Sequence, residues 1–185
     1  IPQLIKDFLN LEIPQFSSYQ FSLQNALSKA EEKSKSFSQD QRNILIEVFN
    51  RQLNSLQITD KQKNNINLLS QENTFTVVTG HQLNLFSGPA FFVYKILQTI
   101  KTAKFLSQNS DKNFVPVFWM ATEDHDFEEI NHFKTSQNFY QIKGKSGGAV
   151  GRIVIEDTSF IDEFEKEFKD DVFGTQLILL MKKSY

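Results

Sequence analysis

Two short polar clusters contain two of the chain's three histidines. The first is Thr79-Gly80-His81-Gln82, followed closely by Ser87-Gly88-Pro89. The second is Thr122-Glu123-Asp124-His125-Asp126. An imidazole can donate a hydrogen bond to an anion or act as a general acid. Glu123, Asp124 and Asp126 crowd negative charge together. Such a cluster could hold Mg²⁺, orient a substrate amine or accept a proton from it. Gly80 lets the chain turn sharply and leaves a ligand room to approach the backbone. Ser87 and Gly88 precede a helix opened by Pro89, where free N–H groups and the helix dipole favour an anion such as phosphate.

Each feature also has a plain structural reading. Gly80 and Gly88 can serve loop geometry alone. A histidine at a strand end is commonly a structural hydrogen-bonding group. Asp126 can be the N-cap of a short helix containing Phe127 and Ile130. Glu128 and Glu129 read as a solvated first-turn pair, His132 as structural, and Phe160, Phe164 and Phe168 as core.

The elements around the clusters give them a common position. Thr74 to Thr79 is short and β-branched, a strand, with Gly80 to Gly88 read as the loop after it. Pro89 opens a helix to about Ser107 whose inner face takes in Phe92, Val93, Ile96, Leu97, Ile100 and Ala103. Phe114 to Ala121 is a second apolar strand. Strand, long helix and strand make a βαβ unit with parallel strands. Ligands of such sheets bind outside the carboxyl ends of the strands, and both clusters follow a strand directly.

The first 70 residues read as helical, with no chemical motif. Pro2 suits a first turn, and Leu4, Ile5, Phe8 and Leu9 form a short apolar face that Pro14 and Ser17-Ser18 break. Helices follow over about 21–34 and 40–53, the latter with Ile44, Leu45, Val48, Phe49 and Leu53 in one stripe. A fourth is capped by Asp60 and ends near Leu69. Beyond Lys134, residues 138–142 and 150–155 read as strands, with Gly144 to Gly148 as a flexible turn. Thr158 caps an amphipathic helix with Phe160, Ile161, Phe164 and Phe168 on its face, and a last helix runs over about 175–183. The expected organisation is a helical segment over 1–70, the first half of a Rossmann-like core over 71–134, and the start of a connecting α/β region over 135–185.

Composition narrows the function. The net charge is -2, which argues against a general nucleic-acid surface. The chain has no cysteine, which excludes disulfides, a thiol nucleophile and thiolate zinc sites within it. No apolar run approaches the ~20 residues of a membrane span, and no signal peptide pattern opens the chain. These features fit a cytoplasmic protein with neither nucleic-acid nor membrane partners. The 19 phenylalanines read as core and helix-packing material. Ile1 in place of Met leads us to expect residues before it.

Thr79-Gly80-His81-Gln82, Leu85-Phe86-Ser87-Gly88-Pro89 and Tyr94-Lys95-Ile96 resemble the first strand-to-helix signature of the bacterial family that adds cysteine in bacillithiol synthesis, the BshC family. Val115-Pro116-Val117-Phe118-Trp119, with Glu123-Asp124-His125-Asp126 and Glu129-Ile130, resembles its second signature. Gly151-Arg152-Ile153 resembles a weaker third. The resemblance implies a Rossmann-like α/β core, incomplete here, similar to class I nucleotidyltransferases. It implies a ligase joining L-cysteine to the amino group of glucosaminyl malate, with ATP activating the carboxylate and Mg²⁺ as a possible companion. His81, Asp124, His125 and Asp126 are then the catalytic candidates. Thr79, Gly80, Gln82, Ser87, Gly88 and Glu123 are the substrate- and nucleotide-binding ones. Family members are longer and carry a coiled coil that mediates homodimers, so the 185 residues are expected to be an inactive N-terminal fragment. Two alternatives stay open: a metal-dependent hydrolase using His81, Asp124, His125 and Asp126 as ligands, and a non-catalytic interaction module.

Overall fold

The computed structural model describes residues 1–144 and 147–185, and all their side chains except that of Ser87. The chain divides into two compact units, Ile1–Val78 with Gln98–Val117, and Thr79–Leu97 with Phe118–Tyr185. The division cuts through β1 (Thr74–Gln82), α5 (Ala90–Gln108) and β2 (Asn113–Ala121), so each unit takes half of the strand-helix-strand motif.

The first unit opens with α1 (Gln3–Leu9), whose expected apolar face buries no residue. A 3-10 turn over Pro14–Tyr19 follows where the chain was expected to break. Three capped helices come next. Ser22 Oγ accepts the Asn25 N–H to start α2 (Leu23–Ser34). Ser38 and Gln41 form a reciprocal capping box on α3 (Gln39–Leu53). Thr59 and Gln62 do the same for α4 (Asp60–Leu68), so Asp60 is not the N-cap. The Thr-x-x-Gln spacing satisfies two backbone donors at once, and Asp60 instead brings charge to the first turn.

The α3 stripe is half-buried at Leu45, Val48, Phe49 and Leu53. Ile44 is exposed, and the buried residue of the helix is Arg42. Its guanidinium donates to the carbonyls of Leu69 at 3.1 Å, Thr74 at 2.9 Å and Glu72 at 3.0 Å, tying the end of α4 to the start of β1. The unit's core joins Ala30, Ala103, Leu106 and Phe114, with Leu23, Ala26, Leu27, Phe75 and Val77 packed around them. In α5 the buried line is Thr99, Ala103 and Leu106, while Val93, Leu97 and Ile100 are exposed.

Strands β1 and β2 are parallel neighbours, as the strand-helix-strand reading requires. β1 runs on through Gly80, His81 and Gln82, which the sequence reading had placed in a loop. The reason lies on the neighbouring strand. A Cβ at residue 80 would stand 3.2 Å from both the Cβ and the carbonyl oxygen of Trp119, so glycine permits the close pairing that extends the strand.

In the second unit, α6 (Phe127–Ile130) leads into a hairpin of β3 (His132–Lys134) and β4 (Phe139–Gln141), with Phe133 opposite Tyr140. Residues 150–155 are not a strand. Val150–Arg152 form a 3-10 turn because the N–H groups of Val150 and Gly151 bond elsewhere. The expected turn at Gly144 to Gly148 has its central pair, residues 145 and 146, outside the described residues. Helix α7 (Ser159–Phe168) buries Phe160, Ile161 and Phe164 and packs on α8 (Gly174–Ser184). Thr158 occupies its N-cap without a side-chain bond. Asp157 accepts the Ser159 N–H at 2.9 Å instead, and hydrogen bonding from the Ser159 side chain, then from its backbone, holds the Asp157 carboxyl below the ordinary carboxylate value. These helices share a core with Phe127, Ile130, Tyr140, Ile142 and Val150. Among the described residues, no helix is long and apolar enough to cross a membrane.

Candidate functional site

All ten residues singled out from the sequence fall in the second unit, in segments at the carboxyl ends of β1 and β2. At the end of β1, the Lys95 ammonium donates to the Gly80 carbonyl, fixing α5 to the strand. The half-buried His81 ring lies between Phe91 and Phe92, at centroid distances of 5.2 and 5.5 Å. Phe92 in turn meets Phe118 of β2 edge-on at 5.3 Å. The Gln82 N–H donates to His81 Nδ1 at 3.0 Å. An accepting Nδ1 carries no proton, so the neutral ring has its N–H at Nε2.

That Nε2 is buried without a hydrogen-bond partner among the described residues, and so is Oε1 of Gln82. A donor and an acceptor thus lie unpaired on consecutive residues at the strand end. Unpaired buried polar atoms cost roughly 1–3 kcal/mol each, so their persistence calls for an explanation, and a ligand's polar groups supply one.

The segment after β1 is set by local geometry. Asn84 donates to the Gln82 carbonyl at 3.0 Å. Gly88 has φ 62°, and a Cβ there would lie 2.6 Å from the Asn84 side chain, so both conformation and space call for glycine. Phe86 also takes a left-handed backbone, φ 47°, with its N–H donating to the Tyr185 hydroxyl and its ring against Phe133 and Phe164. Ser87 ends the short 3-10 turn Leu85–Ser87; its side chain lies outside the described residues.

After β2, Asp124 shapes its own turn. Its Oδ1 accepts the N–H groups of His125 at 2.7 Å and Asp126 at 3.3 Å. The His125 side chain is 83% exposed, with Nδ1 3.9 Å from the same oxygen. Glu123 and Asp126 are exposed as well, and Asp126 sits at the N-cap of α6 without making a side-chain cap bond. Among the described residues no group of three or more His, Cys, Asp or Glu side chains could hold a metal ion, so the metal-hydrolase alternative finds no support. His132 Nδ1 lies 2.9 Å from Asn131 Oδ1, with its ring against Phe139.

Two participants escaped the sequence reading. Lys95 was part of a signature but had no role. The Val150-Gly151 pair was read as strand, yet its N–H groups donate to Asp124 O at 2.6 Å and Thr122 O at 2.9 Å. Its only signal was the glycine of the third, weakest signature. A mostly apolar cavity of about 250 Å³ adjoins these segments, lined by Asn84, Leu85, Phe127, Ile130, Val150 and Gly151 among others. No hydrogen bond among the described residues joins the His81 and Gln82 side chains to the 123–126 turn.

Residues 2–185 match the family described as bacillithiol biosynthesis BshC, N-terminal Rossmann-like domain. A protein of Flavobacterium johnsoniae named "Putative cysteine ligase BshC" is 41% identical over 99% of this chain and 35% of its own length. Proteins of the same name from Flavobacterium psychrophilum and Christiangramia forsetii are 44% and 40% identical, over 89% and 98% of this chain. The chain spans about a third of the length of these curated relatives, 35%, 32% and 35% respectively.

Proposed function

Because the chain belongs to the family of BshC N-terminal Rossmann-like domains, we propose that it supplies the first wall of the active centre of a carbon–nitrogen ligase that joins L-cysteine to the amino group of glucosaminyl malate in bacillithiol synthesis. The carrying observation is the family match over 2–185, with one polar cluster ending β1 and the other following β2, its parallel neighbour. In this reading the cysteine carboxylate first attacks ATP, giving an acyl adenylate with release of pyrophosphate or an acyl phosphate with release of ADP. The amine then attacks the acyl carbon, forms the C–N bond, loses a proton and expels AMP or phosphate. Any Mg²⁺ arrives with the nucleotide phosphates, since the described side chains offer no protein-only cage.

The residues then divide by what their atoms have free. His81 Nε2–H donates to an anionic oxygen of carboxylate or phosphate, and Gln82 Oε1 accepts from an ammonium or amine. Thr79 and Gly80 shape the backbone beside them, and Ser87 and Gly88 lead into the helix end that faces phosphate. Exposed His125 accepts the proton lost from the amine, while Glu123 and Asp126 attract that amine before it reacts. Asp124 holds the turn that carries them.

The test is a product assay on the full-length protein with cysteine, glucosaminyl malate and ATP, read by mass spectrometry for the amide. Absence of product under conditions where the protein is folded would remove the ligase reading. The 185 residues alone should give no product, because a switch-point crevice needs a second wall.

A further inference from the structure

We infer that Gly151 is a positioning residue for the His125 turn, an assignment that rests on the ligase reading for its catalytic meaning but not for its geometry. The turn leaves β2 at Thr122, and the Asp124 carboxylate fixes only its internal shape. Local backbone bonds join it to the end of β2 and the start of α6, and two more reach a segment distant in sequence, Val150 N–H to Asp124 O at 2.6 Å and Gly151 N–H to Thr122 O at 2.9 Å. The donor segment is itself anchored. Val150 is buried in the core with Phe127, Ile130 and Ile142, and its carbonyl accepts the Ile153 N–H at 3.2 Å to close the 3-10 turn.

The two segments approach this closely because residue 151 has no side chain. A Cβ there would lie 2.6 Å from Thr122 Cβ, 2.9 Å from Thr122 O and 3.2 Å from Thr122 Cα. Gly151 carries no positive φ that would explain its presence, so the close approach is what requires glycine. Two of the three atoms belong to backbone and cannot rotate away, so even one methyl group must push the turn outward. The chain of placement runs from the core through Val150 and Gly151 to Thr122 and Asp124, and from Asp124 to His125.

Two measurements on Gly151→Ala separate positioning from a purely structural role. The first, on the 185-residue chain, is the imidazole NMR signal of His125, with His132 in the β3–β4 hairpin as internal reference. We expect the His125 signal to move and the His132 signal to stay. The second, on the full-length protein, is the split between kcat and KM. A misplacement of about 1 Å can cost ~10²-fold in rate, so kcat should fall on the order of 10²-fold with KM within a fewfold of its original value. A folded Gly151→Ala protein with an unmoved His125 signal overturns the inference. If that variant does not fold, Val150→Pro decides by the same signal. It removes the donor to Asp124 O without adding bulk at 151, at the first position of a helical turn where proline is tolerated. Failure of the wild-type product assay would end the ligase reading and leave the NMR result to judge the positioning of the turn by itself.

Discussion

Arg42 and the His81-Gln82 pair are both buried polar features on or beside β1, and they are treated in opposite ways. At the start of the strand, the Arg42 guanidinium reaches three carbonyls and covers the Phe37 ring at 5.4 Å. At the end of the strand, a donor on His81 and an acceptor on Gln82 have no partner among the described residues. Satisfied buried groups specify a fold, because the alternative is a costly orphan. Groups left unsatisfied lower the stability of the free protein, and in the proposed ligase reading they take their partners from the substrates. On that reading one strand carries a structural end and a functional end, and substitutions should tell them apart.

The largest effect should come from Arg42. Arg42→Met retains much of the apolar stem and leaves the carbonyls of Leu69, Glu72 and Thr74 without their donor. Charge-assisted bonds of this kind contribute ~1.5–3 kcal/mol each, and the carbonyls left behind carry a desolvation cost. We expect a loss of roughly 3 kcal/mol or more in urea unfolding. A loss under about 1 kcal/mol would mean that the buried arginine is not the tie between α4 and β1.

His81 should behave in the reverse sense. His81→Leu should change unfolding free energy by less than about 1 kcal/mol, since removing the orphaned Nε2–H offsets the loss of the Nδ1 acceptor for the Gln82 N–H. Turnover of the full-length protein should fall on the order of 10²-fold, the usual cost of removing one preorganised donor. His81→Gln, which can present an amide N–H near the same place, should retain more activity than leucine. Equal losses in both would favour proton transfer by the imidazole over hydrogen-bond donation. A third, smaller contrast concerns Asp124. Asn can accept the same two N–H groups, whereas Ala cannot. Asp124→Ala should lower kcat about 10-fold by the loosened turn, and Asp124→Asn less. A full loss with Asn would show that the charge itself is used.

The sequence carried the strand-helix-strand order, the parallel pairing, the α7 face and the place of both clusters, because each depends on local periodicity that burial then reinforces. It failed where a distant contact decides. A glycine ordinarily weakens a strand, yet β1 runs on through His81, with Gly80 close against Trp119 of β2. The apolar residues at 150–155 have the look of a strand, but Val150 and Gly151 donate to the Thr122–Asp124 turn and leave no ladder to form. A charged residue on a helix reads as solvent-facing, so nothing in the order of residues marked Arg42 as buried. In α5, Val93, Leu97 and Ile100 suit an inner face by type, yet the buried line runs through Thr99, Ala103 and Leu106.

The smallest predicted effect lies with a polar cluster intermediate between the two ends of β1. The Tyr140 hydroxyl donates to Glu167 Oε2 at 2.5 Å, and Asn138 donates to the same oxygen at 2.6 Å, while Oε1 is buried without a partner among the described residues. Burial first, and then the bond to Glu167, pushes the Tyr140 hydroxyl up to about 12. For Glu167, desolvation acts to raise the carboxyl and the bonds from Tyr140, Asn138 and Thr135 act to lower it, with a net fall below its ordinary value of 4.5. A carboxyl depressed by folding binds its proton more readily in the unfolded chain. Its stabilisation is therefore complete above about pH 4.5 and drains away as acid takes the solution down through the lower folded value. Tyr140 has the opposite sign: its share is whole below pH 10 and disappears as pH rises toward about 12. Glu167→Gln should flatten the acid limb of a stability-against-pH curve, and Tyr140→Phe the alkaline limb. An acid limb of unchanged slope in the Gln variant would show that Glu167 is as poorly held as its orphan oxygen allows, placing this cluster with the unsatisfied end of β1 instead of with Arg42.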